Sequence, residues 1–213
     1  MRLLPCFVLA PALVAQAPVT PSPAALPEAP MSTAERDQAR RLLAESREGF
    51  LKAIAGLTPA QWTFKSAPDR WSIQQCAEHI VTVEQVVQGQ VLAKALAGPR
   101  EPLRRAEVKA TDAFLVAAMP DRSHKAQAPE MVAPKGRLGT HEAVVAAFEA
   151  CRKPVEEQVE TSQADWRARF GTHPLFGTLD VYQWVLLTAG HTARHTQQIE
   201  EVKRSPGYPA AGR

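Results

Sequence analysis

Residues 177–203 read GTLDVYQWVLLTAGHTARHTQQIEEVK, and this stretch decides the fold class. We expect one helix that begins at Gly177-Thr178, runs to about Lys203 and is stopped by Ser205-Pro206-Gly207. Positions spaced alternately by three and four residues lie on one face of a helix. In this stretch that face carries Val181, Trp184, Thr188, His191, His195, Gln198 and Val202.

Helix-start signals mark three further helices upstream. Ser32-x-x-Glu35 and Ser72-x-x-Gln75 are capping boxes, in which two side chains satisfy each other's backbone N–H groups. Thr140 can cap a third helix, and Pro154 should kink or split that helix because proline lacks a backbone donor and crowds the preceding turn. We find no convincing alternating strand, so the sequence predicts an all-α four-helix bundle.

The second and third helices are joined by residues 99–138, which we call the crossing segment. It follows Gly98-Pro99, is rich in charge and proline, and contains one candidate short helix around Asp112–Ala118. About 40 residues is far longer than the few that join antiparallel neighbours in a bundle. A connection of this length lets the second and third helices run in the same direction.

The composition excludes several classes of protein. The chain has 213 residues, 45% hydrophobic and 22% charged, which fits one globular domain. It contains no apolar run of 18 residues, so we expect no integral membrane span. A net charge of +3 is too small and too scattered to favour nucleic acid as a partner, and three cysteines cannot form a disulfide scaffold.

The N-terminal residues are typical of an exported protein. Residues 1–17 combine Arg2, an apolar run and Ala15-Gln16-Ala17, which are the parts of a signal peptide, although an ordinary N-terminus remains an alternative. Residues 18–31 form a Pro/Ala-rich linker, 32–205 the bundle and 206–213 a C-terminal tail. If the signal peptide is real, the protein is periplasmic or extracellular.

Three histidines are the candidate metal ligands. His191 and His195 are four residues apart on the helical face described above, and His79 lies on the corresponding face of the second helix. Three imidazoles inside a bundle can hold a divalent ion, with zinc as the default and nickel or iron as alternatives. A pair at this spacing is also common in ordinary packing. Candidates for contact with the ligands or the bound group are Gln75, Cys76, Thr188 and Gln198.

The levels of the histidines along their helices select a topology. His79 lies about 10 Å into the second helix, at 1.5 Å per residue. His191 and His195 lie only about 12–18 Å from the end of the fourth. Antiparallel second and fourth helices bring the three side chains level, which gives the order up-down-down-up. His124, His141 and His173 fall in loops or at a helix start, where we expect ordinary solvated side chains.

The chain resembles the DinB-like family of four-helix bundles, also described as the DinB/YfiT superfamily. The residues that carry the resemblance are Trp71-Ser72 followed by His79, the segment 176–179 (FGTL) and the segment 191–199 (HTARHTQQI). The match covers roughly residues 32–205. The resemblance implies a divalent metal held by His79, His191 and His195. Family members include thiol-dependent S-transferases, a thiol-dependent isomerase and proteins described only as metal-dependent hydrolases.

Two functions remain open at this point. The first is a metal-dependent enzyme, hydrolase-like or thiol S-transferase-like, whose catalytic residues and small-molecule substrate the sequence does not identify. The second is a non-catalytic binding protein with a structural metal. Thr192 stands where a zinc peptidase of the H-E-x-x-H type needs its glutamate, and neither a G-x-S-x-G elbow nor a P-loop is present. A homodimer is left open.

Overall fold

The computed structural model describes residues 28–123 and 127–210. Its four long helices are α1 (Thr33–Ile54), α3 (Ile73–Val86), α6 (His141–Thr161) and α7 (Val181–Lys203). The shorter elements are α2 (Pro59–Thr63), a π-helical stretch (Val87–Leu92), α4 (Ala93–Ala97), α5 (Asp112–Ala118), β1 (Phe170–His173), β2 (Gly177–Asp180), and 3₁₀ turns at Pro102–Glu107, Glu130–Val132 and Trp166–Ala168.

The described residues do not include the predicted signal peptide. Residues 1–17 and most of the linker lie outside them, and within them no helix is both long and apolar enough to cross a membrane. Residues just outside the predicted limits of the bundle contact it at both ends. Met31, assigned to the linker, is buried, and the backbone carbonyl of Pro209, assigned to the tail, accepts a hydrogen bond from the Gln61 side chain at 3.0 Å.

The predicted helix starts are confirmed for the first three long helices. Ser32 and Ser72 both form complete capping boxes, and the Thr140 side chain accepts the N–H of Ala143. The short helix α5 has the predicted bounds. The structure also contains α2, which the sequence analysis missed, although Thr58-x-x-Gln61 is itself a capping box.

The predicted start of the fourth helix at Gly177-Thr178 was wrong. Residues 177–180 form β2, which pairs antiparallel with β1 from Phe170↔Asp180 to His173↔Gly177, and α7 begins only at Val181. Asp180 ends the strand and caps the helix through a box with Gln183. Strands of four residues are too short to show a clear alternation, which is why the sequence did not reveal the hairpin.

Helix α6 is not split at Pro154. It runs as one helix from His141 to Thr161 with the proline inside it. A proline costs the helix one intrahelical hydrogen bond and some steric crowding. In α6 the flanking residues Arg152 and Val155 are buried against the neighbouring helices, and this tertiary packing keeps the helix whole.

Cross-helix contacts show how the long helices lie together. Helices α1 and α6 are antiparallel, and so are α3 and α7. Helices α1 and α7 are parallel. The contacts thus give the relative directions of three pairs of helices. The residue pairs are Arg40–Glu160 and Arg47–Glu149 between α1 and α6. Between α3 and α7 they are His79–His195 and Glu84–Thr192. Between α1 and α7 they are Gln38–Tyr182 and Gly49–Thr196.

A buried ion pair ties the four long helices together. Arg152 is fully buried on α6 and binds the Glu84 carboxylate on α3. Its guanidinium also donates to Ser46 on α1 at 2.8 Å and to Thr192 on α7 at 3.1 Å. Thr192 in turn donates to Glu84 at 2.8 Å. Since Thr192 lies between His191 and His195, this network fixes the position of α7 beside the histidines.

Candidate metal centre

The structure brings the three predicted histidines together. One ring nitrogen from each of His79, His191 and His195 lies within 4.8 Å of the other two. The Nε2 atoms of His79 and His191 are 3.2 Å apart, and both rings have their centroids 4.5 Å from that of His195. His79 and His195 are buried and His191 is half-buried. We call this cluster the three-histidine site.

The crossing segment fixes the orientation of His79. The Nδ1 atom of His79 lies 2.7 Å from the backbone carbonyl oxygen of Val132. A carbonyl oxygen only accepts, so Nδ1 carries the proton and Nε2 offers its lone pair toward the other histidines. A metal-binding imidazole is commonly oriented by a hydrogen bond of this kind to its second nitrogen.

His195 is oriented in the same way by its own helix. Its Nδ1 lies 2.9 Å from Oε1 of Gln198, one turn further along α7. Donation from Nδ1–H to this amide oxygen leaves the lone pair of Nε2 free. Two of the three imidazoles therefore present the same nitrogen to the centre of the cluster.

Trp71 covers the cluster on one side. Its ring centroid lies 4.9 Å from that of His79 and 5.9 Å from that of His195, with which it stacks. Trp71 directly precedes Ser72, the N-cap of α3, so the start of this helix positions the indole. An aromatic wall of this kind limits the access of water to the imidazoles.

Burial keeps the imidazoles neutral. Desolvation lowers the pKa of His79, and it lowers the pKa of His195 to about 3 with help from His79. The pKa of His191 lies well below its usual value because of burial and the two neighbouring histidines. Neutral imidazole is the form that binds a metal ion, so the fold holds all three side chains ready for one at neutral pH.

These residues fit a divalent metal ion. For tetrahedral zinc with Zn–N bonds of about 2.0–2.1 Å, ligand nitrogens lie about 3.3 Å apart, close to the His79–His191 separation. Buried polar groups without such a role would weaken the core. The two buried carboxylates of α3 are occupied elsewhere: Glu84 binds Arg152, and Glu78 accepts three backbone N–H groups of residues 135–137.

Of the other candidate residues, Gln198 hydrogen-bonds to one of the three histidines, whereas the side chains of Gln75, Thr188 and Cys76 are engaged elsewhere. Gln198 contacts His195, as described. Gln75 uses its side chain in the capping box at the start of α3, and the Thr188 hydroxyl donates to the carbonyl of Trp184 at 2.8 Å. Cys76 is buried in the apolar core, and burial raises the pKa of its thiol to about 12.

The two other described histidines, His141 and His173, do not belong to this cluster of ligand atoms. His124 is outside the described residues. His141 packs edge-to-face against Trp62, at 5.9 Å between ring centroids. His173 is not the solvated side chain that the sequence predicted: it is half-buried, stacks on Phe176, and its Nδ1 accepts the N–H of Leu175. The unforeseen hairpin turn explains this difference.

Glu78 and Val132 support the site, and neither was predicted from the sequence. An acidic residue within the apolar run around Ile80 was a usable signal for Glu78, because an unpaired carboxylate is rarely buried. Val132 acts through its backbone carbonyl, which has no signature in the sequence.

Comparisons with known proteins concern the fold and the family of the chain. The chain is 21% identical over 159 residues to YuaE of Bacillus subtilis (strain 168), described as an uncharacterized protein, and the match covers 75% of this chain and 93% of that one. The solved structure of YfiT from Bacillus subtilis superposes with a TM-score of 0.50 at 14% identity, covering 86% of this chain and 94% of that one. YfiT is described as a probable metal-dependent hydrolase with an unusual four-helix bundle topology. The family model of the DinB superfamily matches residues 42–199, and the chain belongs to this superfamily.

Proposed function

We propose that this protein is a metal-dependent enzyme that binds one divalent ion through His79, His191 and His195, with zinc as the first candidate and nickel or iron as alternatives. The observation that carries the proposal is the convergence of three neutral imidazoles, two of which have their donor nitrogen selected by a hydrogen bond. The description of YfiT as a probable metal-dependent hydrolase supports a hydrolase-like reaction. Thiol S-transfer is the other reaction that suits the site.

The site indicates what the metal ion and the protein would each contribute to the reaction. When bound, a divalent ion with three uncharged ligands supplies Lewis acidity, which lowers the pKa of water or of a thiol. The chain contributes the orientation of the imidazoles and, through Trp71, a wall that restricts water. Glu78 and Glu84 are engaged in structural hydrogen bonds, so neither serves as the general base. We expect the substrate to be a small molecule, with the substrate itself or solvent as the proton acceptor.

The proposal includes export. Residues 1–17 have the composition of a signal peptide, and we expect the mature chain to begin between about Pro18 and Leu26. N-terminal sequencing of protein from the native host tests this expectation. Intact Met1 in cytoplasmic material would contradict it.

Activity with and without metal tests the enzymatic proposal. We would screen ester, amide and thiol-conjugation substrates with zinc-, nickel- and iron-loaded protein, metal-free protein and the His195→Ala variant. Turnover should appear only in a metal-loaded form, while the metal-free protein keeps its helical circular dichroism. If instead metal removal melts the bundle and no substrate is turned over, the ion is structural and the binding-protein alternative is favoured.

A further inference from the structure

Arg122 in the crossing segment is clamped onto helix α7. Its Nε and Nη2 atoms form a bidentate ion pair with the Glu201 carboxylate, with N···O distances of 2.7 and 2.8 Å. Arginine suits such a clamp because its planar guanidinium matches a carboxylate. This leaves Nη1, which lies 3.2 Å from Oε1 of Gln198.

The backbone next to Arg122 is also fixed on α7. A Cβ atom built on Gly190 would lie 2.7 Å from Cβ of Met119, so the absence of a side chain at Gly190 lets this part of the crossing segment lie directly on the helix. Arg194 donates a hydrogen bond to the carbonyl of Asp121. The position of Arg122 is therefore set by contacts of the residues that directly precede it and by its own ion pair with Glu201.

The contact with Arg122 determines which way the Gln198 amide faces. Arginine has donors and no acceptor, so the Gln198 atom that faces it must be the oxygen. The same oxygen lies 2.9 Å from Nδ1 of His195. Nδ1 must then be the protonated nitrogen, and Nε2 of His195 keeps its lone pair for the three-histidine site.

Without Arg122, the amide can rotate by half a turn and present its NH₂ group to His195. Nδ1 would then accept, the proton would move to Nε2, and the nitrogen that faces His79 and His191 would be blocked. Glu201 contributes indirectly, because its carboxylate holds the Arg122 guanidinium in place.

We propose that Arg122 is a positioning residue for the metal centre, acting through Gln198 to select the nitrogen that His195 offers. This inference rests on the proposed function, and it assigns the crossing segment a role at both ends of the site: its carbonyl at Val132 orients His79 and its guanidinium at Arg122 orients His195.

Nitrogen-15 NMR of the metal-free protein tests the inference directly, because the two ring nitrogens of each neutral tautomer have distinct shifts. In the unaltered protein His195 should be protonated on Nδ1. In Arg122→Met a substantial fraction should carry the proton on Nε2. The matched control is Arg104→Met, which removes an arginine of the same segment that pairs with Glu101 and Glu107 instead.

Zinc affinity, measured by competition with a chelator, gives the second readout. Loss of an outer hydrogen-bonding partner typically weakens metal binding by about 10–100-fold, and we expect about tenfold for Arg122→Met. Gln198→Glu should rescue the loss, because a carboxylate has no donor face to turn toward His195. When Arg122→Met is added to the Gln198→Glu variant, zinc affinity should fall by less than about threefold.

Other results overturn the inference. An unchanged His195 tautomer in Arg122→Met contradicts it, and so does an equal loss of affinity in the Gln198 and Gln198→Glu backgrounds, which would indicate a merely structural effect. If the unaltered protein binds no metal, the proposed function fails. The tautomer measurement still decides the role of Arg122, since it uses metal-free protein.

Discussion

Glu78 and His79 are consecutive residues of α3, and both hold the same part of the crossing segment. The Glu78 carboxylate accepts the backbone N–H groups of Lys135, Gly136 and Arg137 at 2.9–3.1 Å, while Nδ1 of His79 donates to Val132 at 2.7 Å. The buried acid thus fixes the strip of backbone that orients the imidazole of His79 beside it.

We expect Glu78→Gln to weaken both the fold and the site. An amide has one oxygen in place of two, so at least one of these partly buried N–H groups loses its partner, at a cost of about 1 kcal/mol or more in the free energy of unfolding. Denaturant unfolding measures this loss, and amide hydrogen exchange should show faster exchange at residues 135–137. Glu130→Gln is the control, since Glu130 is exposed on the same segment and pairs with Lys135. Equal effects from both substitutions would contradict the assigned role.

The buried pair of Arg152 and Glu84 should be far more sensitive than surface pairs. Arg152→Met leaves an uncompensated carboxylate in the core and should lower the free energy of unfolding by about 3–5 kcal/mol. Arg47→Met, which removes a partner of the more exposed Glu149, should cost less than about 1 kcal/mol. Chemical denaturation of the two variants makes the comparison. Similar losses in both would show that the core network is not the tie between the helices.

Metal-free protein should lose stability in mild acid. The pKa values of His79, His191 and His195 are lowered in the folded chain, so the unfolded chain binds protons first as the pH falls below about 6.5. Each histidine then lowers the free energy of unfolding by up to about 1.4 kcal/mol per pH unit, and above pH 6.5 the effect is absent. Unfolding curves between pH 7.5 and about pH 4.5 measure the slope. It should be shallower in His195→Ala, and an identical slope would contradict burial of neutral imidazole.

The two described cysteines, Cys76 and Cys151, should stay as free thiols. Both are buried and not disulfide-bonded, and burial raises the pKa of each. Because the thiolate is the reactive form, both should react slowly with a disulfide reagent in native protein and rapidly after denaturation. Mass spectrometry without reductant checks the pairing. A bond between the two residues would refute this prediction.

The sequence predicted the features that have local signals. Capping residues such as Ser32 and Ser72 marked helix starts, and the helical spacing of His191 and His195 placed them on one face. Features that depend on tertiary contacts escaped it. The four-residue strand at Gly177 looked like a helix start, Pro154 looked like a break, and nothing local showed that the carbonyl of Val132 or the guanidinium of Arg122 would reach the histidines.

The proposed function depends on the binding of one divalent ion by His79, His191 and His195 together. Elemental analysis of zinc-loaded, desalted protein tests it most directly, with single alanine substitutions at each histidine and His141→Ala as the control, since His141 packs against Trp62 instead. We expect one ion per chain in the unaltered protein and in His141→Ala, and nearly complete loss of the ion in each of the other three variants. Unchanged metal content in those three variants would contradict it.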